Sequence, residues 1–144
     1  MSYTYEYPRP MVTVDTILLC EANEGSILLI QRKNDPYKNK WALPGGFVEM
    51  DEDLEDAAIR ELWEETGIKL NNLHQLKTYG TLNRDPRGRT ISIVFYKIIE
   101  NEPEAIANDD ARDAKWYSLN NLPELAFDHS TIINDFLNLR NHRR

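Results

Sequence analysis

Cysteine, positive charge and long apolar runs are all scarce in this chain of 144 residues. The one cysteine, Cys20, excludes an internal disulfide, and its place in an apolar run predicts a buried, unreactive thiol. The 17 Lys and Arg against 24 Asp and Glu give a formal net charge of −7. That balance argues against nonspecific binding of nucleic acid, which depends on neutralising phosphates. No apolar run has membrane-spanning length and no signal peptide is present, so we expect a cytoplasmic protein.

Length and composition favour one globular domain spanning residues 1–144. The 41% hydrophobic and 28% charged residues are typical of a soluble globular chain, and the length allows a substantial core. No internal repeat, low-complexity linker or second domain is evident. An acidic protein of this kind can still bind a small phosphorylated ligand when a metal ion bridges the two.

The stretch from Gly46 to Ile68 predicts a loop followed by a helix. Asp53 suits the N-cap, and Gly67 suits the position just beyond the last turn. Apolar residues recur at helical spacing and are expected to face the core. These residues are Leu54, Ala57, Ala58 and Leu62.

Three acids on this helix predict a cation site. Glu61, Glu64 and Glu65 stand at i, i+3 and i+4, so their carboxylates project from one face within about one turn. Like charges so close need compensation, and ligation by oxygen atoms alone is what Mg²⁺ or Mn²⁺ prefers. Arg60 points to a neighbouring sector of the helix, from which it could reach back to Glu52 and pin the loop.

This order of residues resembles the Nudix box, GX5EX7REUXEEXGU, in which U is aliphatic. All nine fixed positions match, whereas a solvated acidic helix, the simpler interpretation, predicts no such order. They are Gly46, Glu52, Arg60, Glu61, Leu62, Glu64, Glu65, Gly67 and Ile68. The resemblance implies an α+β fold in which a mixed β-sheet is sandwiched between α-helices.

The resemblance also implies roles for individual residues. Glu61, Glu64 and Glu65 are expected to bind the metal, Mg²⁺ or alternatively Mn²⁺, and the matching family position adds the backbone carbonyl of Gly45. Arg60 and Glu52 are expected to orient the helix and loop. The general base is Glu61 in our first hypothesis and Asp110, on a later acidic loop, in our second.

Outside the box, the sequence pattern predicts five strands and a closing helix. The strands are expected at Met11–Cys20, Ser26–Arg32, near His74–Leu82, at Thr90–Ile99 and at Ala114–Tyr117. The helix is expected from His129 to about Leu139, with Asp128 as its N-cap. The third and fourth strands are expected to form a hairpin around the turn at Asp85–Gly88.

Three outer segments resemble bacterial and archaeal ADP-ribose pyrophosphatases and the ligand-sensing Nudix domains of transcriptional regulators. They are Tyr7–Asp15, Arg84–Gly88 and Leu125–His129. Arg84 and Arg87 are candidates for binding substrate phosphate or ribose, although a solvated hairpin tip explains them equally well. Phe47 and Tyr3 are candidates for the base pocket, although the segment carrying Tyr3 could equally be a loosely attached terminus.

The resemblance predicts a magnesium-dependent hydrolase that cleaves the pyrophosphate bond of a nucleoside diphosphate linked to another moiety. ADP-ribose is the leading substrate, giving AMP and ribose 5-phosphate. One alternative is a nucleoside triphosphate pyrophosphohydrolase, and another is a domain that senses ADP-ribose without cleaving it. The intact glutamates and the lack of a winged-helix segment argue against the sensor. The oligomeric state stays open, with a homodimer as one candidate, and so do base specificity and the number of metal ions.

Overall fold

The structure is a computed structural model that describes residues 2–142, so the outermost residues of the predicted domain, Met1, Arg143 and Arg144, lie outside it. Within this range the chain forms seven strands and two helices. The strands are β1 (Met11–Cys20), β2 (Ser26–Arg32), β3 (Trp41–Ala42), β4 (Gly45–Phe47), β5 (His74–Tyr79), β6 (Thr90–Ile99) and β7 (Ala111–Ser118). The helices are α1 (Leu54–Thr66) and α2 (His129–His142). Neither helix is long and apolar enough to cross a membrane.

Strand β1 lies at the centre of a mixed sheet. It pairs in parallel with β6 over its whole length, from Met11 opposite Thr90 to Cys20 opposite Ile99. It pairs antiparallel with β2 at one end and with β4 at the other. The order β3-β2-β1-β6-β5 is completed by β7 on β2. Both β1 and β6 have long apolar, buried runs, which suit strands covered on both faces.

The two helices cover opposite faces of this sheet, because side chains alternate along β1. One buried cluster contains Ile17 and Leu19 of β1 with Ile132, Ile133 and Phe136 of α2. Another contains Leu18, Leu28, Leu62 and Ile68, and so includes α1. The predicted α+β architecture, a mixed sheet held between helices, is therefore confirmed.

Helix α1 follows the sequence prediction at its end more closely than at its start. Gly67 ends the helix in the left-handed region at φ 74°, and its N–H donates to the Trp63 carbonyl at 2.8 Å. Asp53 precedes the helix in an extended conformation, but its side chain makes no capping hydrogen bond. Leu54 is 37% exposed and belongs to no core cluster, so its predicted burial is wrong. Helical spacing indicates which side a residue faces, but not how far the sheet extends beneath it.

Three other predicted boundaries move. Strand β5 ends at Tyr79, and Leu82 lies in an exposed turn. Strand β7 begins at Ala111 instead of Ala114, because pairing with β2 starts there despite the polar sequence. Helix α2 extends to His142. The carboxylate of Asp128, the predicted N-cap, accepts hydrogen bonds from Arg84.

We predict that Gly67→Ala lowers the free energy of unfolding by about 1 kcal/mol, because a Cβ is disfavoured at positive φ. No atom lies within 4 Å of the added methyl, so the cost is backbone strain and not a clash. Urea unfolding measures this change. The control is Gly80→Ala, whose Cβ would meet neighbours only at 3.8 Å or beyond. Equal effects of the two substitutions would contradict this explanation.

Candidate active site

A cleft of about 440 Å³ lies between four parts of the chain. They are residues 43–53, which lead from β3 to α1 and are called the box loop below, the end of β2, the β5–β6 turn and the segment before α2. Its charged lining includes an acidic group and a basic group. The acidic group contains Asp15, Glu61, Glu65 and Asp110. The basic group contains Arg32, Arg84 and Arg87, and the remaining charged lining residues are Asp35, Glu49, Arg60 and Asp85. Phe47, Phe127 and His129 also line the cleft, which therefore offers charge of both signs and flat aromatic surface to one ligand.

Arg60 joins helix α1 to the box loop through the predicted partner. Its Nε and Nη2 donate to the two carboxylate oxygens of Glu52 at 2.9 and 2.6 Å. Nη2 also donates to the Phe47 carbonyl at 3.2 Å. The hydrogen bonds from Arg60 lower the pKa of Glu52. A two-pronged contact of this kind fixes geometry as well as charge.

Arg60 also contacts the acids beside it, which the sequence analysis did not predict. Its Nη1 donates to Glu61 Oε1 at 2.8 Å and to Glu64 Oε2 at 3.0 Å. Glu64 is thereby directed at Arg60 and does not line the cleft. Across residues 2–142 no three Asp, Glu, His or Cys side chains converge as they stand into a group that could hold a metal ion.

Glu61 and Glu65 lie against the two glycines of the box loop. Glu65 is 4% exposed, and its Oε1 accepts a hydrogen bond from the Gly45 N–H at 2.8 Å. The Glu61 carboxyl group would lie 2.6 Å from a Cβ on Gly46, and a Cβ on Gly45 would overlap Asp15 and the Val14 carbonyl. Only glycine therefore allows the loop to approach these carboxylates so closely.

Burial raises the pKa values of both carboxyl groups. For Glu65, loss of hydration is the largest cause, and the charges of Glu61, Asp15 and Asp110 raise the pKa further. For Glu61, loss of hydration again comes first, and the Arg60 guanidinium offsets it only in part. The ionised forms of this pair are consequently less favoured in the folded protein than they would be in water.

The two hairpin arginines have different surroundings. Arg84 is held by Asp128 in a two-pronged ion pair at 2.9 and 2.6 Å, and its side chain is only 5% exposed. Arg87 pairs with Asp85 at 2.7 Å, and its guanidinium lies 4.9 Å from the ring centre of Phe47. Arg87 is therefore the more accessible of the two to a ligand, whereas the guanidinium of Arg84 is already paired with Asp128.

Some candidates lie elsewhere, and some lining residues were missed. Tyr3 stacks on Tyr5 with ring centres 6.3 Å apart and does not line the cleft. The lining residues that the sequence analysis did not single out include Asp15, Arg32, Asp85, Phe127 and His129. Asp15 could have been found, because an acid inside a continuous apolar strand is a buried polar group in need of a reason.

Phe127 collects several of the missed contacts. The guanidinium groups of Arg32 and Arg87 lie 5.0 and 5.4 Å from its ring centre, and the Tyr37 ring lies 4.8 Å away. Burial, and next the charge of Arg87, lower the pKa of Arg32. An anion in the cleft would relieve the repulsion between these two cations.

Comparison with known proteins places this geometry in a family. Residues 9–136 match the family model of the NUDIX domain. The chain is 48% identical over 136 residues to the ADP-ribose pyrophosphatase of Methanocaldococcus jannaschii, covering 94% of this chain and 78% of that protein.

Two solved structures share the fold. The NUDIX domain of Shewanella oneidensis NrtR, complexed with ADP ribose, has a TM-score of 0.85 at 30% identity, covering 96% of this chain and 91% of that one. A bifunctional NMN adenylyltransferase/ADP ribose pyrophosphatase from Francisella tularensis, complexed with AMP and a manganese ion, has a TM-score of 0.84 at 39% identity. That alignment covers 93% of this chain but only 43% of the Francisella chain.

The chain belongs to the Nudix family. The predicted class, a Nudix phosphoanhydride hydrolase similar to ADP-ribose pyrophosphatases, is thus confirmed. The roles of individual site residues stay predictions, which the experiments below address.

We predict that Arg60→Ala lowers the free energy of unfolding by about 1–3 kcal/mol, because it leaves charged hydrogen-bond partners unpaired. It should also lower turnover by loosening the loop and not by removing charge from the substrate. Arg60→Lys is the matched control: it keeps the charge but loses the planar fork, so it should be intermediate. Urea unfolding and kcat measure these effects, and a fully active, fully stable Arg60→Lys enzyme would contradict the role of the fork.

Proposed function

We propose that this protein hydrolyses ADP-ribose to AMP and ribose 5-phosphate with the help of a divalent metal ion. The observation that carries the proposal is the cleft itself, in which clustered carboxylates adjoin arginines and aromatic rings. A diphosphate ester with a flat base has the complementary features. The names of the Methanocaldococcus and Francisella relatives, together with the ADP ribose bound to the Shewanella domain, support this choice of substrate.

The residues present fit a hard divalent cation. Glu61 and Glu65 would supply oxygen ligands from successive helical turns, the Gly45 carbonyl would add a ligand at the matching family position, and Glu64 is the remaining predicted ligand. Burial raises the pKa values of Glu61 and Glu65, and neighbouring negative charges raise them further; a cation between the two carboxylates would favour their ionised forms. We propose Mg²⁺ as the physiological ion; the manganese ion of the Francisella relative makes Mn²⁺ the alternative.

When bound, such an ion acts as a Lewis acid that neutralises phosphate charge and lowers the pKa of bound water. The protein's own groups orient the reactants. Arg87 and Arg32, whose guanidinium groups lie near the Phe127 ring, would hold phosphate or ribose. Glu61, partly desolvated inside the cleft, is the first choice for the base that takes the proton of the attacking water, and Asp110 is the second. Attack on one phosphorus breaks the bridging P–O bond and leaves two monophosphates.

A second function is binding of ADP-ribose without cleavage. The structural similarity to the Shewanella oneidensis NrtR domain complexed with ADP ribose favours this candidate. The complete set of box glutamates favours hydrolysis. Turnover decides between the two.

We predict fast, metal-dependent release of AMP and ribose 5-phosphate from ADP-ribose. The measurement is chromatographic product analysis of ADP-ribose, NADH, diadenosine polyphosphates and deoxynucleoside triphosphates, each with Mg²⁺, with Mn²⁺ and with EDTA. Glu64→Gln is the blank. It should lower kcat roughly 10²-fold or more, because it removes a predicted ligand and not a core contact.

The outcomes separate the candidates. If ADP-ribose binds but stays intact, the sensing function is correct and the hydrolase proposal fails. If only triphosphates are cleaved, with pyrophosphate as a product, the substrate proposal fails and the reaction class stands. An unchanged kcat in Glu64→Gln would contradict its assignment as a ligand.

We also predict that the metal stabilises the fold more at pH 8 than at pH 5. The folded-state pKa values of Glu61 and Glu65 are raised above the ordinary 4.5. In the metal-free protein, these two groups therefore contribute their full stabilisation of the fold below about pH 4.5. That contribution is lost as the pH rises through the folded pKa. Because Mg²⁺ binds the ionised pair, saturating Mg²⁺ should raise Tm by roughly 5 °C at pH 8 and by much less at pH 5.

Differential scanning fluorimetry with and without EDTA measures this effect. The control is Glu65→Gln, in which most of the pH dependence of the Mg²⁺ effect should disappear. A Tm increase of the same size at both pH values would show that the ion binds elsewhere.

A further inference from the structure

His129, the first residue of α2, is a buried imidazole at the wall of the cleft. Its side chain is 5% exposed, and its Nδ1 accepts a hydrogen bond from the Leu43 N–H at 3.0 Å. Burial lowers the pKa of His129, which favours the neutral ring. Because Nδ1 accepts, the single ring proton lies on Nε2, 3.8 Å from Asp15 Oδ1. The other Asp15 oxygen accepts from Ser92 Oγ at 2.5 Å.

The Leu43 contact fixes the first residue of the loop that leads to the glutamates. The next residue, Pro44, accepts a hydrogen bond from the Thr16 N–H at 2.9 Å. The residue after it, Gly45, donates to Glu65. Three consecutive residues are therefore held by α2, β1 and α1 in turn. Of these three contacts, only the one from His129 is made by a side chain that lies outside the box.

The segment before α2 runs alongside the same loop. Trp41 N–H donates to the Glu124 carbonyl at 3.3 Å, and Ala126 N–H donates to the Trp41 carbonyl at 2.7 Å. This pairing places His129 beside Leu43. The chain then turns through Phe127 in the left-handed region, at φ 52°.

Three neighbouring residues thus contact three different parts of the cleft. The Phe127 ring lies beneath the guanidinium groups, Asp128 holds Arg84 of the hairpin, and His129 holds the box loop. Displacement of one of these contacts would be transmitted to the next through a single peptide unit.

We infer that His129 is a positioning residue: its Nδ1 fixes the Leu43–Gly45 loop, and with it the position of Gly45, whose N–H donates to Glu65. Through Asp128, the same segment links the hairpin arginine to that loop. This inference rests on the proposed function in one respect only, namely that the loop matters because its carbonyl serves the metal. The role of the His129–Leu43 hydrogen bond in fixing the loop does not depend on which substrate the protein binds.

The simpler alternative is that His129 is a buried histidine with satisfied hydrogen bonds and no effect beyond stability. Two substitutions distinguish the alternatives by stereochemistry. In asparagine the side-chain oxygen is attached to Cγ, as Nδ1 is in histidine, so His129→Asn can keep the bond to Leu43. In glutamine the terminal amide lies one atom further out, near the position of Nε2, so His129→Gln loses that bond.

The test compares His129→Asn, His129→Gln and His129→Leu, with His74→Asn on the exposed part of β5 as the control. Three readouts are needed besides Tm. They are hydrogen exchange of the Leu43–Gly45 segment, the affinity for Mn²⁺ followed by electron paramagnetic resonance without substrate, and kcat and KM for ADP-ribose.

We expect His129→Asn to stay within about threefold of the wild type in Mn²⁺ affinity, with the segment still protected. His129→Gln and His129→Leu should expose the segment to exchange and weaken Mn²⁺ binding about 10–100-fold, as loss of an orienting contact typically does. kcat should fall with KM little changed. If His129→Leu does not fold, the Asn and Gln pair decides.

Equal losses in the Asn and Gln variants, or losses that simply follow Tm, would overturn the inference. Unaltered exchange in His129→Gln would do the same. If the wild type fails to cleave ADP-ribose while the exchange and Mn²⁺ patterns hold, the proposed substrate is wrong and the positioning role stands.

Discussion

The rest of the site depends on the hydrogen bonds of the Arg60 guanidinium group. One planar group pairs with Glu52, holds the Phe47 carbonyl and contacts Glu61 and Glu64. It therefore sets the position of the loop and also offsets the repulsion among acids on one helix face. A lysine ammonium, which lacks the planar fork of donors, could not make all of these contacts at once.

Around that group the sheet provides a rigid base. Gly45 and Gly46 belong to strand β4, which pairs with β1, and Glu61 and Glu65 of α1 line the same cleft as these two glycines. The carboxylates are held close to the backbone in a partly dehydrated setting. Burial raises their pKa values first and neighbouring carboxylates raise them further, so a bound cation would stabilise the ionised forms of both groups.

Much of this could be predicted, because some signals are local. The strands at Met11–Cys20 and Thr90–Ile99, the end of α1 at Gly67 and the Arg60–Glu52 pair all follow from spacing within short segments. The contacts of Arg84 with Asp128 and of His129 with Leu43 join segments far apart in sequence, so no local pattern predicts them. The direction of the Glu64 carboxylate could not be predicted for a different reason: helical geometry fixes its side of α1, but the neighbouring Arg60 guanidinium decides where the carboxylate points.

The parallel pairing of β1 with β6 has a consequence for how the protein reaches its native state. The two strands enclose the entire box between them in sequence, so their register forms only after a long loop has closed. Contacts of such high sequence separation slow folding. Asp15 on β1 and Ser92 on β6 meet only through that register, so we expect the cleft to form no earlier than the pairing of these two strands.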